Sequence, residues 1–322
     1  MTRPENAGVT TAAEAAASGH DDLARRHTVD AVAEHPFRRF VSEFAESRIA
    51  LAALFVFAII LLIAIFAPVI SPQNPYDLGQ IDILDARLPP GAAGFDGTTF
   101  WLGTDDQGRD MMSAIFYGLR ISLMVGAFSG LIALFIGSAV GLCAAYFGGK
   151  VDAVIMRIVD LQLAFPAILV ALILLAILGR GVDKIIVALV LVQWAYYART
   201  VRGSALVERE REYIAAATCL GLGHRRILFR HLLPNVTPPL IVVATVQIAS
   251  AIALEATLSF LGIGLPVTEP SLGLLIANGF EYMLTGRYGI SMFPGIALLI
   301  TIVSINLVGD QLRDVLNPRL RR

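Results

Sequence analysis

The sequence predicts an all-α integral membrane protein with six transmembrane helices, and three observations carry that prediction. Hydrophobic residues make up 56% of the 322 and charged residues only 16%, with a mean hydropathy of +0.71. Soluble domains sit nearer about 45–50% and about 25%, and one core cannot hide such a surplus, so much of it must face lipid. Six apolar stretches lie along the chain, and the basic residues cluster between alternate pairs of them. The 25 Lys and Arg balance the 26 Asp and Glu, which removes a nucleic-acid binder built on net charge. Cys143 and Cys219 lie far apart and form no disulfide or metal framework.

Residues 1–47 read as a cytoplasmic tail that ends in an interfacial helix. Up to about Glu34 the chain is Ala-rich and polar, without apolar periodicity. Phe37, Phe40, Val41 and Phe44 then share one helical face beside Arg38 and Arg39, the pattern of a short helix lying in the inner interface. Residues 48–70 form the first span. Ile49 to Ile70 carries no charge and reaches roughly 33 Å, against a bilayer core of about 30 Å.

An outer loop is expected over 71–120. It opens with Ser71-Pro72-Gln73-Asn74-Pro75, which cannot continue a helix, and Thr104 or Asp105 would cap an amphipathic helix containing Met111, Met112, Ile115 and Phe116. Residues 121–309 hold five more spans. Ile121 to Phe147 carries Gly126, Gly130, Gly137 and Gly141, spaced to let neighbouring helices approach. The third span runs from about Ala153 to Leu178, with Arg157 and Asp160 near its start, and the fourth, Ile185 to Ala198, is short. The fifth, about Leu240 to Gly262, contains Glu255, and the sixth runs from Ile290 to Val308. Between these two, Ser271 to Phe280 is apolar but too short to cross, which suits a re-entrant or surface-lying piece. Residues 310–322 are the C-terminal tail.

Arginines and lysines set the orientation. Arg3, Arg25, Arg26, Arg38, Arg39 and Arg48 precede the first span, Lys150 follows the second, and Arg313, Arg319, Arg321 and Arg322 follow the sixth. The loop 199–235 holds Arg199, Arg202, Arg209, Arg211, Arg225, Arg226 and Arg230. The positive-inside rule places all of these in the cytoplasm, with both termini. The short fourth span must therefore cross, or this basic loop would lie outside.

Within that loop, Glu212 to Leu220 reads as a helix with Ala215, Ala216 and Ala217 as strong formers, stopped by Gly221 and Gly223. A second helix, His224 to Leu233, is expected to end at Pro234. Two short helices meeting at a glycine corner make either a projection that another protein can grip or a plain connector.

The loop resembles the conserved cytoplasmic loop of inner-membrane permeases of binding-protein-dependent ABC importers. Ala215-Ala216-Ala217, Gly221 and His231-Leu232-Leu233-Pro234 match its spacing, with Ala215 in place of glutamate and His231 in place of isoleucine. Four further segments resemble the C-type permease of the dipeptide/oligopeptide branch: Leu102 to Asp110, Met156 to Asp160, Glu255 to Gly262, and Phe293-Pro294-Gly295. So does the tail from Asn306 to Arg319. Leu272 departs from the tryptophan usual there. The resemblance implies the type I ABC importer permease fold and import of di- or oligopeptides by alternating access, with Ala215, Ala216, Ala217, Gly221, His231, Leu233 and Pro234 docking on an ATPase. It also implies the partners: a B-type permease subunit, two ABC ATPase subunits (or a homodimer) and a periplasmic substrate-binding protein, all at the bacterial inner membrane. No cofactor is expected in this chain; ATP and Mg would belong to the ATPases. The same machine could carry a nickel chelate, glutathione or a sugar, and a secondary transporter is the rival from another class.

No Gly-x-x-x-x-Gly-Lys-Ser/Thr loop occurs, since Gly148-Gly149-Lys150 leads into Val151. Asp160 and Glu255 are the acids inside spans, where an ionisable group normally faces water or a partner. Asp160 could pair with Arg157 three residues earlier or act in an inner gate. Glu255 could line the path and bind a peptide amine, or hydrogen-bond a neighbouring span. Asp105, Asp106, Arg109 and Asp110 read as a helix cap followed by surface ion pairing, since no nucleophile or base lies nearby. His20, His27, His35, His224 and His231 show no metal-ligand arrangement.

Overall fold

The computed structural model describes residues 36–316. The expected tail over residues 1–34, with His20 and His27, lies outside the described residues, as do His35, Arg319, Arg321 and Arg322. The chain divides into two units, 1–48 and 49–322. In the first, α1 (Pro36–Ala45) is the helix expected from its apolar periodicity.

In the second unit, α2 (Arg48–Ile70) is apolar all round, as a span must be. The segment 71–110 is stitched by side chains bonding its own backbone. Asp77 and Asp82 each cap a 3₁₀ turn, and a two-residue hairpin pairs β1 (Ala92–Ala93) with β2 (Thr99–Phe100).

The next helix, α3, runs unbroken from Met111 to Phe147. The expected separate amphipathic helix is therefore the N-terminal end of the second span. Its cap is Asp110, whose carboxylate accepts from the Ser113 amide at 2.8 Å, not Thr104 or Asp105. Its four glycines divide between two neighbours. A Cβ on Gly126 or Gly130 would meet Ile252 or Ile248, and one on Gly137 or Gly141 would meet the carbonyls of Trp194 or Ala198 within 2.5 Å.

The third span is broken. Helix α4 (Gly149–Ala164) and α5 (Ala167–Leu178) meet at 91°. Pro166 causes the break, because its ring disfavours the helical region for the residue before it, and Phe165 is extended at φ −90°, ψ 141°. Helix α6 (Val182–Arg209) is twice the length of the expected span and carries its ladder into the loop 199–235.

After α7 (Glu212–Cys219), α8 runs from His224 to Phe260. The expected stop at Pro234 does not occur. Residues 227–232 form a π-helical turn in which the Leu233 amide donates to Leu228 O, five residues back. That wide turn shifts the hydrogen-bond register just where Pro234 has no donor to give. Helix α9 (Leu272–Phe280) is capped by Ser271 and lies against α8, with its Gly273 on the backbone of Ala256. Leu272 is fully buried and reaches Gly118 of α3, so the smaller side chain suits a close approach. Helix α10 (Gly289–Leu316) completes the set. Among the described residues, five helices are long and apolar enough to cross a membrane, six spans if the bent α4–α5 pair is one.

Candidate functional site: a glycine corner and two acids within the spans

The corner is built by a glycine. Leu220 N–H donates to Ala216 O, and Leu222 N–H to Ala217 O. Gly221 between them sits at φ +69° with open space where a Cβ would be, the left-handed conformation that lets a helix end and its chain reverse. Helix α7 then has two faces. Ile214 and Ala217 are buried with Ile227, Leu228, Leu232, Leu142, Tyr197 and Val201, so one apolar cluster joins α7 to α3, α6 and α8. Ala215, Ala216, Thr218, Cys219 and Leu220 face outward. Leu220 is 79% exposed and Phe229 59%, beside the exposed Arg225, Arg226 and Arg230.

Two side chains fix the corner to the end of α3. Arg209 donates through Nη1 to Ala145 O at 2.8 Å. The His224 Nδ1 lies 2.7 Å from the Tyr146 hydroxyl, with the Phe147 ring alongside. Asn235 donates to the Tyr213 hydroxyl and to His231 O, and Tyr213 donates to Glu208.

The expected docking residues therefore separate. Ala215, Ala216, Gly221 and Pro234 are exposed, and His231 and Leu233 are half-buried. Ala217 is 5% exposed and is corrected from a docking residue to part of the base, because three residues on from Ile214 falls on the same side of a helix.

The two acids also differ from expectation. Asp160 pairs not with Arg157 but with Arg199 of α6, and a second bridge joins Asp152 to Arg202 bidentately at 2.6 and 3.0 Å. Glu255 is fully buried. It accepts from Ser122 of α3 and Ser259 of α8, each at 2.8 Å, so it is no path-lining residue in this conformation. Its carboxylate is engaged by hydroxyls inside the helix packing.

In the segment 71–110, the expected surface ion pairing is in fact buried. Arg109 Nε donates to Asp105 at 2.6 Å with the two side chains 1% and 0% exposed. Asp105 also accepts from the amides of Gln107 and Arg109, and Arg109 reaches Val267 O. Nearby, burial and then the charge of Glu269 push the Tyr76 hydroxyl up to about 12. Sequence reasoning missed Arg199, Arg202 and Ser122. Each lies dozens of residues from its partner, with no local signal.

Residues 133–322 match the binding-protein-dependent transport system inner membrane component family, and residues 35–90 match the N-terminal TM domain of oligopeptide transport permease C. The dipeptide transport system permease protein DppC of Escherichia coli (strain K12) is 40% identical, over 89% of this chain and 94% of its own length. The di/tripeptide transport system permease protein DppC of Pseudomonas aeruginosa (strain UCBPP-PA14) is 36% identical over 89% and 93%. The oligopeptide transport system permease protein OppC of Bacillus subtilis (strain 168) is 35% identical over 87% and 88%. Among solved structures, the inward-facing MetNI methionine ABC transporter shares the fold with a TM-score of 0.53 at 24% identity. That match covers 64% of this chain and 98% of the other.

Proposed function

The chain belongs to the family of binding-protein-dependent transport system inner membrane components, and we propose that it is the C-type membrane subunit of an ATP-driven importer carrying di- or oligopeptides inward. Relatives of matching length named for dipeptide, di/tripeptide and oligopeptide transport support the substrate class. In this reading a B-type permease completes the pathway, two ATPase subunits bind ATP and Mg, and a periplasmic binding protein delivers the peptide. Both termini and the loop 199–235 lie in the cytoplasm, where the positive-inside rule puts them.

The observation that carries the reading is the corner at Gly221. Its outward face carries the small Ala215 and Ala216 and the exposed Leu220, with exposed Arg225, Arg226 and Arg230 on the helix that follows, which suits insertion into a groove on another protein. Its inward face shares one apolar cluster with the cytoplasmic ends of α3, α6 and α8. A close-packed cluster transmits displacement rather than absorbing it. Closure of the ATPase pair then moves Ala215, Ala216 and Leu220, and three spans move with them. His231, Leu233 and Pro234 hold the root of the corner.

Ala216→Asp tests this directly, because it adds charge to the docking face without disturbing the buried one. In proteoliposomes holding the full complex, peptide uptake is expected to be abolished while the amount of inserted chain is unchanged. Normal uptake by that variant, or peptide uptake by the chain without any ATPase, overturns the reading.

A further inference from the structure

We propose that Asp160 and Arg199 form a subsite on the translocation pathway for the charged side chains of a peptide, a basic side chain at Asp160 and an acidic one at Arg199. The proposal rests on the peptide-import reading above and names where along the pathway this chain meets its cargo.

Helix α4 divides into three stripes at about 100° per residue. Ile155, Met156, Val159 and Leu163 pack against α6. Val151, Val154, Ile158 and Leu161 are exposed and wholly apolar, as a lipid-facing stripe must be. The third stripe is Ala153, Arg157, Asp160 and Ala164, also exposed, with spacing of four, three and four. A stripe of charged and small side chains, separate from the apolar one, faces water or protein rather than lipid.

The facing helix agrees. Tyr196, Arg199 and Gly203 of α6 are exposed at spacings of three and four, and Arg199 meets Asp160 across the gap. Both partners are more than half exposed, 53% and 60%. They sit just before the elbow at Phe165–Pro166, and Asp160 lies about 12 Å along the helix from the lower bridge at Asp152.

The two bridges differ in kind. Asp152 and Arg202 share two hydrogen bonds and are mostly covered, which suits a strut. Asp160 and Arg199 share one and are open. An exposed pair of that sort contributes little net stability, so a peptide side chain offering an ammonium or a carboxylate exchanges with one partner at small cost. The elbow itself is braced by Gln162, which donates to Leu191 O and accepts from Trp194 Nε1. That leaves the Asp160–Arg199 pair free to open while the backbone holds.

The test uses the assembled complex with its binding protein in proteoliposomes and two dipeptides, one with a lysyl and one with an aspartyl side chain. Uptake is normalised to assembled complex. Arg199→Gln is expected to lower uptake of the aspartyl dipeptide about tenfold more than that of the lysyl one, the factor of a single charge-assisted hydrogen bond. Asp160→Asn reverses the order, and Asp160→Glu, which keeps the charge, restores the wild-type ratio. Equal losses for both dipeptides assign the pair to packing or to a subunit contact and overturn the subsite, as does unchanged uptake. If the unmodified complex carries neither dipeptide, the peptide-import reading itself fails, and the subsite fails with it.

Discussion

Glu255 and Asp160 are both carboxylates within spans, and the molecule treats them in opposite ways. Glu255 has no exposed surface and two serine hydroxyls for company. Asp160 is mostly exposed and faced by a full positive charge. Helix α8 buries its acid where three elements meet, because Ser122 comes from α3 and the Ser271 cap of α9 begins beside it. Helix α4 keeps its acid on a rim. The difference teaches that depth along a span does not assign a role to an acid. What decides is whether neutral donors enclose it or an opposite charge meets it on an open face.

Breaking the enclosed side is expected to have the largest effect. Gly273→Val drives a side chain into the Ala256 backbone, where a Cβ would already sit 2.1 Å from Ala256 O. Overpacking costs about 1–3 kcal/mol, more when backbone must move, so the thermal midpoint of the purified chain should fall by several degrees at the least. An unchanged midpoint would mean that α9 does not seal the region. Glu255→Ala comes next, since it strands two buried hydroxyls at about 1–3 kcal/mol each. Glu255→Gln should recover most of that loss, because an amide both donates and accepts; equal melting of the two variants would refute the enclosure.

On the open side the expected effects are smaller. Asp152→Asn removes a partly exposed bidentate bridge to Arg202, with an expected cost below about 1 kcal/mol, readable as a small shift of the same midpoint. A shift as large as that of Glu255→Ala would erase the contrast between the two acids. The smallest effect is a slope. Burial, then the neighbouring Asp105 charge, hold the Asp106 carboxyl above its ordinary range. An acid raised on folding keeps its proton longer in the folded chain than in the unfolded one. Stability therefore falls as pH climbs from the ordinary carboxylate range through the raised one. Asp106→Asn should flatten that part of the stability–pH curve, and an unaltered slope would show that the outer segment is not where it arises.

Much of the architecture was legible because lipid imposes a simple rule on composition. Uncharged runs such as Ile49 to Ile70 have no soluble alternative, and the glycines at 126, 130, 137 and 141 announced close neighbours. Breaks and continuations were harder to read. Pro166 marks a right-angled elbow while Pro234 sits inside a continuing helix, and the residue type is the same. What separates them is a π turn that only the three-dimensional hydrogen-bond register reveals. Within the corner, the spacing of Ile214 and Ala217 already held the signal that one alanine faces inward, masked by three alanines in a row. Arg199 could not be paired with Asp160 from sequence, since the elbow between them brings together residues 39 apart. The Asp105–Arg109 pair was visible at four residues' spacing, but its burial depends on Val267, far along the chain.

Helix α8 has a mechanical consequence. It begins at His224 beside the glycine corner and ends at Phe260, a few residues past Glu255, so a continuous helix about 55 Å long links the corner to the packing around Glu255. A tilt of about 5° about its inner end sweeps the far end through about 5 Å, roughly one helical turn. In the proposed mechanism, a push received at the glycine corner reaches the packing around Glu255 along this one helix.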